Sequence, residues 1–310
     1  MTAALPPLLV IAGATATGKT GLAVRIAQAL SAEGRHTEII SADSRQVYRG
    51  LDIGTAKVTG AERALVPHHG LDLVDPDEPF SVADFVDHAH EVLGRLVRTD
   101  GIALLVGGTG LYLRAVARGL DTTALPNDAA VRARLEAELA TGGLAPLAER
   151  LDHIAPMLAA GVDHRNPRRV VRALEIAELR GDGILPPARG YPAPVVWIGL
   201  TVEPSEHARR IATRAQSQFE AGLVEEAVGL RERFDPGLPA FSAIGYREAW
   251  AVADGRQTRD SAIAQDAARN VAFAKRQRTW FRSEPDVVWI DTTTDDPLPA
   301  ALDLTRAIAG

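Results

Sequence analysis

The sequence predicts an α/β protein with a parallel sheet and a helical insertion, and three observations lead to this. Short apolar runs typical of buried strands alternate with segments of helical periodicity along the 310 residues. The first apolar run leads through a glycine-rich loop directly into a helix-patterned segment. Residues 121–192 carry helical periodicity alone. The predicted domains are therefore a core, residues 1–120 and 193–310, and a helical insertion, residues 121–192.

The first predicted strand comprises residues 8–12. The loop that follows it, residues 13–20, has the phosphate-binding pattern G-x-x-x-x-G-K-T. Its glycines let backbone N–H groups converge on an anion, and the helix that follows adds the positive end of its dipole. The pattern predicts a P-loop NTPase-like core in which Lys19 contacts a terminal phosphate and the Thr20 hydroxyl binds Mg²⁺. The expected phosphate-binding residues are Gly13, Ala14, Thr15, Ala16, Thr17, Gly18, Lys19 and Thr20.

The second predicted strand, residues 38–42, ends on a polar segment that contains an acid. Asp43, Ser44, Arg45 and Gln46 follow the strand directly. Ligands of open parallel sheets bind beyond the carboxyl ends of the strands, so Asp43 is expected to face the P-loop. The alternative is an aspartate that caps the strand end or a helix.

The third predicted strand, residues 102–106, ends on glycines where ATP-hydrolysing P-loop proteins carry an aspartate. Gly107, Gly108 and Thr109 stand there instead. The missing acid argues against an ATPase motor. The glycines predict room for a bulky substrate against the backbone.

Helical signals fill much of the remaining sequence. Ser81 and Asp84 form a capping pattern for a helix that begins at residue 82. His68 and His69 have no further ligand at metal-binding spacing, so loop structure or substrate contact is favoured over the alternative of a metal site. The insertion contains a cluster of arginines at helical spacing that predicts phosphate contact or, alternatively, a solvated face: Arg165, Arg168, Arg169, Arg172 and Arg180.

After the insertion, the sequence predicts a strand at residues 195–200, helices at 206–219, 223–234 and 260–281, and a last strand at 287–291. The third of these helices ends on AKRQRTWFR, a basic run interleaved with aromatic residues. Such a run suits single-stranded nucleic acid, because bases stack on aromatic and guanidinium planes while cations follow the phosphates.

The composition narrows the class of protein. Hydrophobic residues make up 46% of the chain and charged residues 24%, as in ordinary globular proteins. There is no cysteine, which excludes disulfides and thiolate chemistry. The net charge of −6 argues against indiscriminate binding of polyanions. No apolar run is long enough to span a bilayer, so we expect a cytoplasmic protein without membrane association. We also expect it to act as a monomer.

Seven blocks of the sequence closely resemble the tRNA dimethylallyltransferase family, the isopentenyl-diphosphate:tRNA transferases, in its bacterial form. They are GATATGKT, ISADSRQVYRGLDIGTAK, PHHGLDLVDP with FSVADF, LLVGGTGLYLRA, NPRRVVRALEI, IGYREAW and AKRQRTWFR. The resemblance implies transfer of a dimethylallyl group from dimethylallyl diphosphate to the exocyclic amine of the tRNA adenosine immediately 3′ of the anticodon. It implies tRNAs that read codons beginning with U, recognition of the anticodon stem-loop, and Mg²⁺ as the cofactor.

The resemblance also implies a role for individual residues. Asp43 is the expected general base for the attacking amine, with Lys19 and Thr109 as the other catalytic residues. Arg210 and Arg214 are expected to bind the diphosphate beside the P-loop. The expected tRNA-binding residues are Asp43, Ser44, Arg45, Gln46, Thr109, Arg132, Arg169, Arg172, Gly245, Tyr246, Arg247, Lys275, Arg276, Gln277 and Trp280.

The chain departs from the family pattern at three places. Ala14 stands where proline is frequent, and the backbone cage of the loop needs no proline. Asn270 and Val271 replace a usual Thr-Arg pair, so one basic contact to tRNA is expected to be missing. Phe273 stands where tyrosine is common.

Three other functions fit parts of the sequence. A small-molecule or nucleotide kinase would explain the P-loop but not the arginine cluster or the AKRQRTWFR block. A prenyltransferase acting on free adenine nucleotides would need neither of those RNA-facing segments. A non-catalytic RNA-binding module would keep the P-loop as a relic, and its function would not depend on Asp43.

Overall fold

The computed structural model describes residues 5–122, 125–181 and 187–309, which form two compact units. The first unit is Met1–Arg118 with Gly190–Gly310, and the second is Gly119–Arg189. The boundaries predicted from the sequence lie within three residues of these limits. Residues 123–124 and 182–186 of the predicted insertion lie outside the described residues.

The first unit is built on one six-stranded sheet with the order β3-β2-β4-β1-β5-β6. Every neighbouring pair of strands is parallel. The carboxyl ends of all strands, and the loops that follow them, therefore lie along one edge. The α/β fold class predicted from the sequence is confirmed. The strands are β1 Leu8–Gly13, β2 Thr37–Ala42, β3 His68–His69, β4 Ile102–Gly107, β5 Val195–Thr201 and β6 Val287–Asp291.

Helices form at the predicted places that begin near residues 82, 206, 223 and 260, and Ser81 with Asp84 forms the predicted capping box. The helices Gly60–Leu65, Gly110–Ala117 and Tyr246–Ala253 were not predicted from the sequence. In the first unit the helices are α1 Lys19–Ala32, α2 Gly60–Leu65, α3 Val82–Val97, α4 Gly110–Ala117, α9 Pro204–Glu220, α10 Leu223–Arg231, α11 Tyr246–Ala253, α12 Arg259–Phe281 and α13 Leu298–Ile308, with a 3₁₀ turn at Pro239–Ser242. In the second unit they are α5 Ala129–Gly142, α6 Leu144–Ile154, α7 Pro156–Ala159 and α8 Pro167–Arg180.

The core of the first unit surrounds its central strand. All six residues of β1 are buried, as are all six of β4 beside it. Leu22, Ile26 and Leu30 of α1 belong to one buried cluster with side chains of these two strands. Full burial of each such side chain contributes roughly 1.5–3 kcal/mol. The loop between β1 and α1 is therefore held at both ends by well-packed elements.

The second unit has a hydrophobic core of its own, in which Leu135, Leu151 and Leu174 from three different helices are fully buried. Its described residues contain helices only, as the periodicity predicts. Asn166 caps α8 by accepting a hydrogen bond from the backbone N–H of Arg169 at 3.3 Å. In the part of the chain that the structure describes, no helix is long and apolar enough to cross a bilayer.

Candidate active site

A cavity of about 460 Å³ opens at the carboxyl edge of the sheet, entirely within the first unit. Its volume is in the usual range of small-molecule sites. The P-loop, the segment after β2, the loop after β4 and the helices α9 and α12 form its walls. The sequence-predicted residues that line it are Thr15, Lys19, Thr20, Asp43, Ser44, Arg45, Gln46, Thr109, Arg214, Arg276 and Gln277.

The P-loop supplies the cationic end of the cavity. Gly18 has a φ of 92°, which favours glycine, and α1 begins at the next residue. The Lys19 ammonium donates to the carbonyl oxygen of Ala14 at 2.7 Å. Burial, and then the Arg214 guanidinium, lowers the pKa of Lys19 to about 8, although Asp43 acts in the opposite direction. A bound anion would stabilise both of these half-buried cations.

Thr15 of the P-loop is fixed by side chains from two helices. Its backbone N–H donates to Gln277 Oε1 at 2.9 Å. Its carbonyl oxygen accepts from His207 Nε2 at 2.8 Å, and its hydroxyl oxygen accepts from Arg214 Nη1 at 2.9 Å. The shape of the loop thus depends on α9 and α12. Sequence reasoning missed His207, which belongs to no motif.

Asp43 faces the P-loop across the cavity, as predicted from its place after β2. One carboxylate oxygen, Oδ1, accepts the backbone N–H of Arg45 at 2.8 Å. Among the described residues, no hydrogen-bond donor contacts the other oxygen, Oδ2. This oxygen is therefore available to a substrate group in the cavity.

Thr109 links the ends of β2 and β4. Although it stands at the N-cap of α4, its side chain does not cap that helix. Its hydroxyl oxygen instead accepts the backbone N–H of Ser44 at 3.0 Å, and its own N–H donates to Ala42 at 3.2 Å. Thr109 therefore fixes the position of the segment that contains Asp43.

The glycines after β4 leave space for side chains of α12. A Cβ atom at Gly108 would lie 2.4 Å from the amide nitrogen of Gln277, and one at Gly110 would lie 2.3 Å from the ring of Trp280. Gly107 and Gly108 also line the cavity, so the room predicted there for a bulky substrate stays a prediction.

One face of α12, formed by Arg269, Phe273 and Arg276 and called its outer face, is basic and aromatic. Arg269, Phe273 and Arg276 line the cavity from one side of this helix. The Arg276 guanidinium lies 5.7 Å from the centre of the Phe273 ring, and Lys275 is exposed beside it. Arg269 also pairs with the buried Glu248. Arg269 thus brings a guanidinium to the cavity, although Val271 stands where the family usually has arginine.

Other residues expected to bind tRNA or diphosphate are placed elsewhere in the first unit. Gly245 and Tyr246 are buried, and the Tyr246 hydroxyl donates to Glu226 at 2.8 Å, whereas Arg247 is exposed. Arg210 does not line the cavity and bonds instead to Glu206 at 2.8 Å. Trp280 is half-buried, with the Arg114 guanidinium 4.4 Å from its ring centre.

In the second unit, two of the three predicted tRNA-binding arginines hold a buried acid. Arg132 and Arg172 each approach Glu175 to 2.7 Å. Burial favours a raised pKa for Glu175, but hydrogen bonds from Arg132, the backbone of Asp128 and Arg172 keep this pKa below its usual range. Arg169 is exposed.

The described residues that line the cavity include neither histidine nor cysteine, so its candidate metal ligands are oxygen atoms. The Thr20 hydroxyl and the Asp43 carboxylate are both on its wall. In the described ranges, no group of three or more His, Cys, Asp or Glu side chains is arranged to hold a metal ion. This donor set fits Mg²⁺, which often takes one or two protein oxygens together with substrate phosphates.

The fold and the cavity define a protein of the P-loop class, in which a site with two half-buried cations and an acid opens onto a basic, aromatic helix face. Residues 46–284 match the model of the IPP transferase family. The chain belongs to this family, and the resemblance seen in the sequence is confirmed.

Curated relatives match along nearly the whole chain. The tRNA dimethylallyltransferase of Roseiflexus sp. (strain RS-1) is 42% identical over 97% of this chain and 98% of its own length. That of Halalkalibacterium halodurans is 40% identical over 98% of this chain and 96% of its own.

Two solved structures share the fold. The tRNA isopentenylpyrophosphate transferase from Bacillus halodurans has a TM-score of 0.70 at 39% identity, covering 98% of this chain and 96% of its own. A eukaryotic dimethylallyltransferase acting on tRNA has a TM-score of 0.72 over 93% of this chain and 74% of its own. At 23% identity, this second likeness indicates a common fold alone.

Proposed function

We propose that the chain transfers a dimethylallyl group from dimethylallyl diphosphate to the exocyclic amine of the tRNA adenosine immediately 3′ of the anticodon, in tRNAs that read codons beginning with U. Diphosphate is the leaving group. Family membership and the names of the relatives support the reaction class. The observation that carries the proposal is the cavity that joins Lys19 and Arg214 to Asp43 and the outer face of α12.

The cationic end of the cavity suits the leaving diphosphate. As the allylic C–O bond breaks, negative charge builds up on the diphosphate oxygens. Lys19 and Arg214 are half-buried and already in place, so they stabilise this charge with little reorganisation. Arg210 would act at a distance, since Glu206 and Thr292 hold its guanidinium.

Asp43 suits the role of general base. The amine nitrogen forms a bond to the allylic carbon, the carbon–oxygen bond to diphosphate breaks, and the amine loses one proton. Asp43 Oδ2 is available to accept this proton, while Oδ1 is held by the N–H of Arg45. Thr109 orients this segment through its bond to Ser44.

Mg²⁺ would be held by the Thr20 hydroxyl together with diphosphate oxygens, and it would supply further neutralisation of the leaving group. The backbone N–H groups at the start of α1 would bind the same diphosphate oxygens. Among the described residues, no acid follows β4 to hold the ion in the manner of an ATPase.

The target adenosine must leave the base stack of the anticodon loop to reach a recessed cavity. Ser44, Arg45 and Gln46 line the wall next to Asp43 and would contact the extruded nucleoside. Lys275 and Arg276 would meet the phosphates of the surrounding loop. The monomeric state stays a prediction, and a tRNA substrate supports the predicted cytoplasmic location.

The test is incubation of the protein with Mg²⁺, labelled dimethylallyl diphosphate and an unmodified tRNA transcript that has three adenosines from the third anticodon position onward. Nucleoside analysis should show prenylated adenosine only at the position 3′ of the anticodon. A matched transcript with guanosine there should take up no label. Label in free AMP instead, or phosphate transfer from ATP, would contradict the proposal in favour of the other P-loop functions.

A further inference from the structure

Gln277 stands in the AKRQRTWFR block next to Lys275 and Arg276, yet its surroundings differ from theirs. Its side chain is 8% exposed, whereas Lys275 and Arg276 are exposed. Its Oε1 accepts the backbone N–H of Thr15 at 2.9 Å, and its Nε2 donates to the carbonyl oxygen of Gly108 at 2.9 Å. The amide of Gln277 therefore bridges the P-loop and the loop after β4.

Among the described residues, Gln277 is the hydrogen-bond partner of both backbone groups that it bridges. It accepts the N–H of Thr15, whose carbonyl and hydroxyl oxygens accept from His207 and Arg214. At Gly108 the bridge packs so closely that a Cβ atom would lie 2.4 Å from the Gln277 amide. Loss of the amide would leave two backbone groups without partners in a half-buried place, and the loops would shift to find others.

We propose that Gln277 is a positioning residue for the diphosphate site and does not contact tRNA. This inference rests on the proposed function. Gln277 fixes the P-loop, which contains Lys19, relative to the segment that Thr109 holds. The same short stretch of α12 thus presents Lys275 and Arg276 to RNA and sets the geometry of the anion site from its buried side.

The test compares Gln277→Met with Gln218→Met by titrating each protein with inorganic pyrophosphate and Mg²⁺ in a calorimeter. Methionine keeps the length of the side chain and removes both hydrogen bonds. Gln218 is a matched control because it is also 8% exposed, and its amide donates to the carbonyl oxygens of Ile53 and Gly54. Thermal unfolding of each variant measures the loss of stability that any buried glutamine would cause.

We expect Gln277→Met to bind pyrophosphate about tenfold more weakly, while its affinity for unmodified tRNA stays within about twofold of the original. Gln218→Met should lose similar stability and keep its pyrophosphate affinity. In steady-state assays, Gln277→Met should raise the KM for dimethylallyl diphosphate and leave the KM for tRNA unchanged. Gly108→Ala displaces the same amide from the opposite side and should weaken pyrophosphate binding in the same way.

Two results would overturn the inference. One is weaker tRNA binding by Gln277→Met with unchanged pyrophosphate affinity, which would make Gln277 an RNA contact. The other is equal weakening of pyrophosphate binding in both methionine variants, which would reflect general loss of stability. If the unaltered protein bound no pyrophosphate, the proposed function would fail first, so the two failures are distinguishable.

Discussion

Lys19 shows how burial sets the charge of a single residue. Because its pKa is lowered to about 8, the ammonium of the free protein loses its proton as the pH rises through this value. A diphosphate beside Nζ favours the charged form, so binding takes up a proton above pH 8. We expect dimethylallyl diphosphate to bind about tenfold more weakly at pH 9 than at pH 7, as measured by calorimetry.

The Lys19→Arg variant is the control for this pH dependence. A guanidinium stays charged throughout this range, so the variant should bind more weakly overall but with equal affinity at both pH values. A pH-independent affinity of the unaltered protein would contradict the role given to Lys19.

Asp43 permits an isosteric test of general-base catalysis. Asp43→Asn keeps an oxygen for the N–H of Arg45 and removes the group that accepts the proton. We expect kcat to fall by about 10²–10⁴-fold in single-turnover assays, with little change in the KM of either substrate. Asp75→Asn, at a half-exposed acid of the same unit that does not line the cavity, should change kcat little. Near-normal turnover by Asp43→Asn would identify another base or none.

At the residue scale, the sequence motifs predicted the positions of side chains better than their roles. Lys19, Asp43 and Thr109 follow strands of a parallel sheet, so chain position alone predicts that they meet at one edge. Gln277 and Tyr246 belong to equally recognisable blocks, but their partners Thr15 and Glu226 are distant in sequence. Sequence spacing does not reveal which side of a helix another element will cover.

At the scale of elements, length decided what the sequence could predict. The helix α12 has 23 residues and differs from its predicted bounds by one residue at its start, because a long periodic segment gives a strong signal. The strand β6, with five residues, also has its predicted bounds. The strand β3 has two residues, His68 and His69, and was predicted as a loop. Its pairing with Ile39 and Ile40 of β2 places it in the sheet, which no local pattern signals.

The helix α8 contains arginines of two kinds, which predicts two kinds of effect. Arg169→Gln removes an exposed charge, so the dependence of log K for tRNA on log salt concentration should become shallower by about 1, without loss of stability. Arg172→Gln removes a partner of the buried Glu175 and should lower the free energy of unfolding by roughly 1–3 kcal/mol. Salt-dependent anisotropy titrations and urea denaturation distinguish the two.

The two variants are controls for each other, since both exchange an arginine of the same helix for glutamine. An unchanged salt slope for Arg169→Gln would remove this residue from the RNA interface. If Arg172→Gln kept full stability, Arg132 alone would satisfy Glu175. Arg172 would then be available for phosphate contact, as the sequence predicts.

At the scale of the whole molecule, each unit has the contacts it needs for its own fold. The six-stranded sheet and the cavity belong to the first unit, and the second has its own buried leucines. The chain leaves the first unit at Arg118 and returns at Gly190, where the N–H of Gly190 donates to the carbonyl oxygen of Arg118 at 3.0 Å. The two ends of the interruption are therefore neighbours, and a short linker suffices to join them.

Replacing residues 119–189 by a glycine–serine linker of about four residues should leave a folded first unit that binds pyrophosphate with Mg²⁺. Trp197, Trp250, Trp280 and Trp289, the four tryptophans of the chain, all belong to that unit, so near-UV circular dichroism reports its packing alone. Affinity for tRNA should fall because the exposed Arg165 and Arg169 are removed. A folded variant without pyrophosphate binding would show that the anion site needs the second unit, and unchanged tRNA affinity would show that RNA is held by the first unit alone.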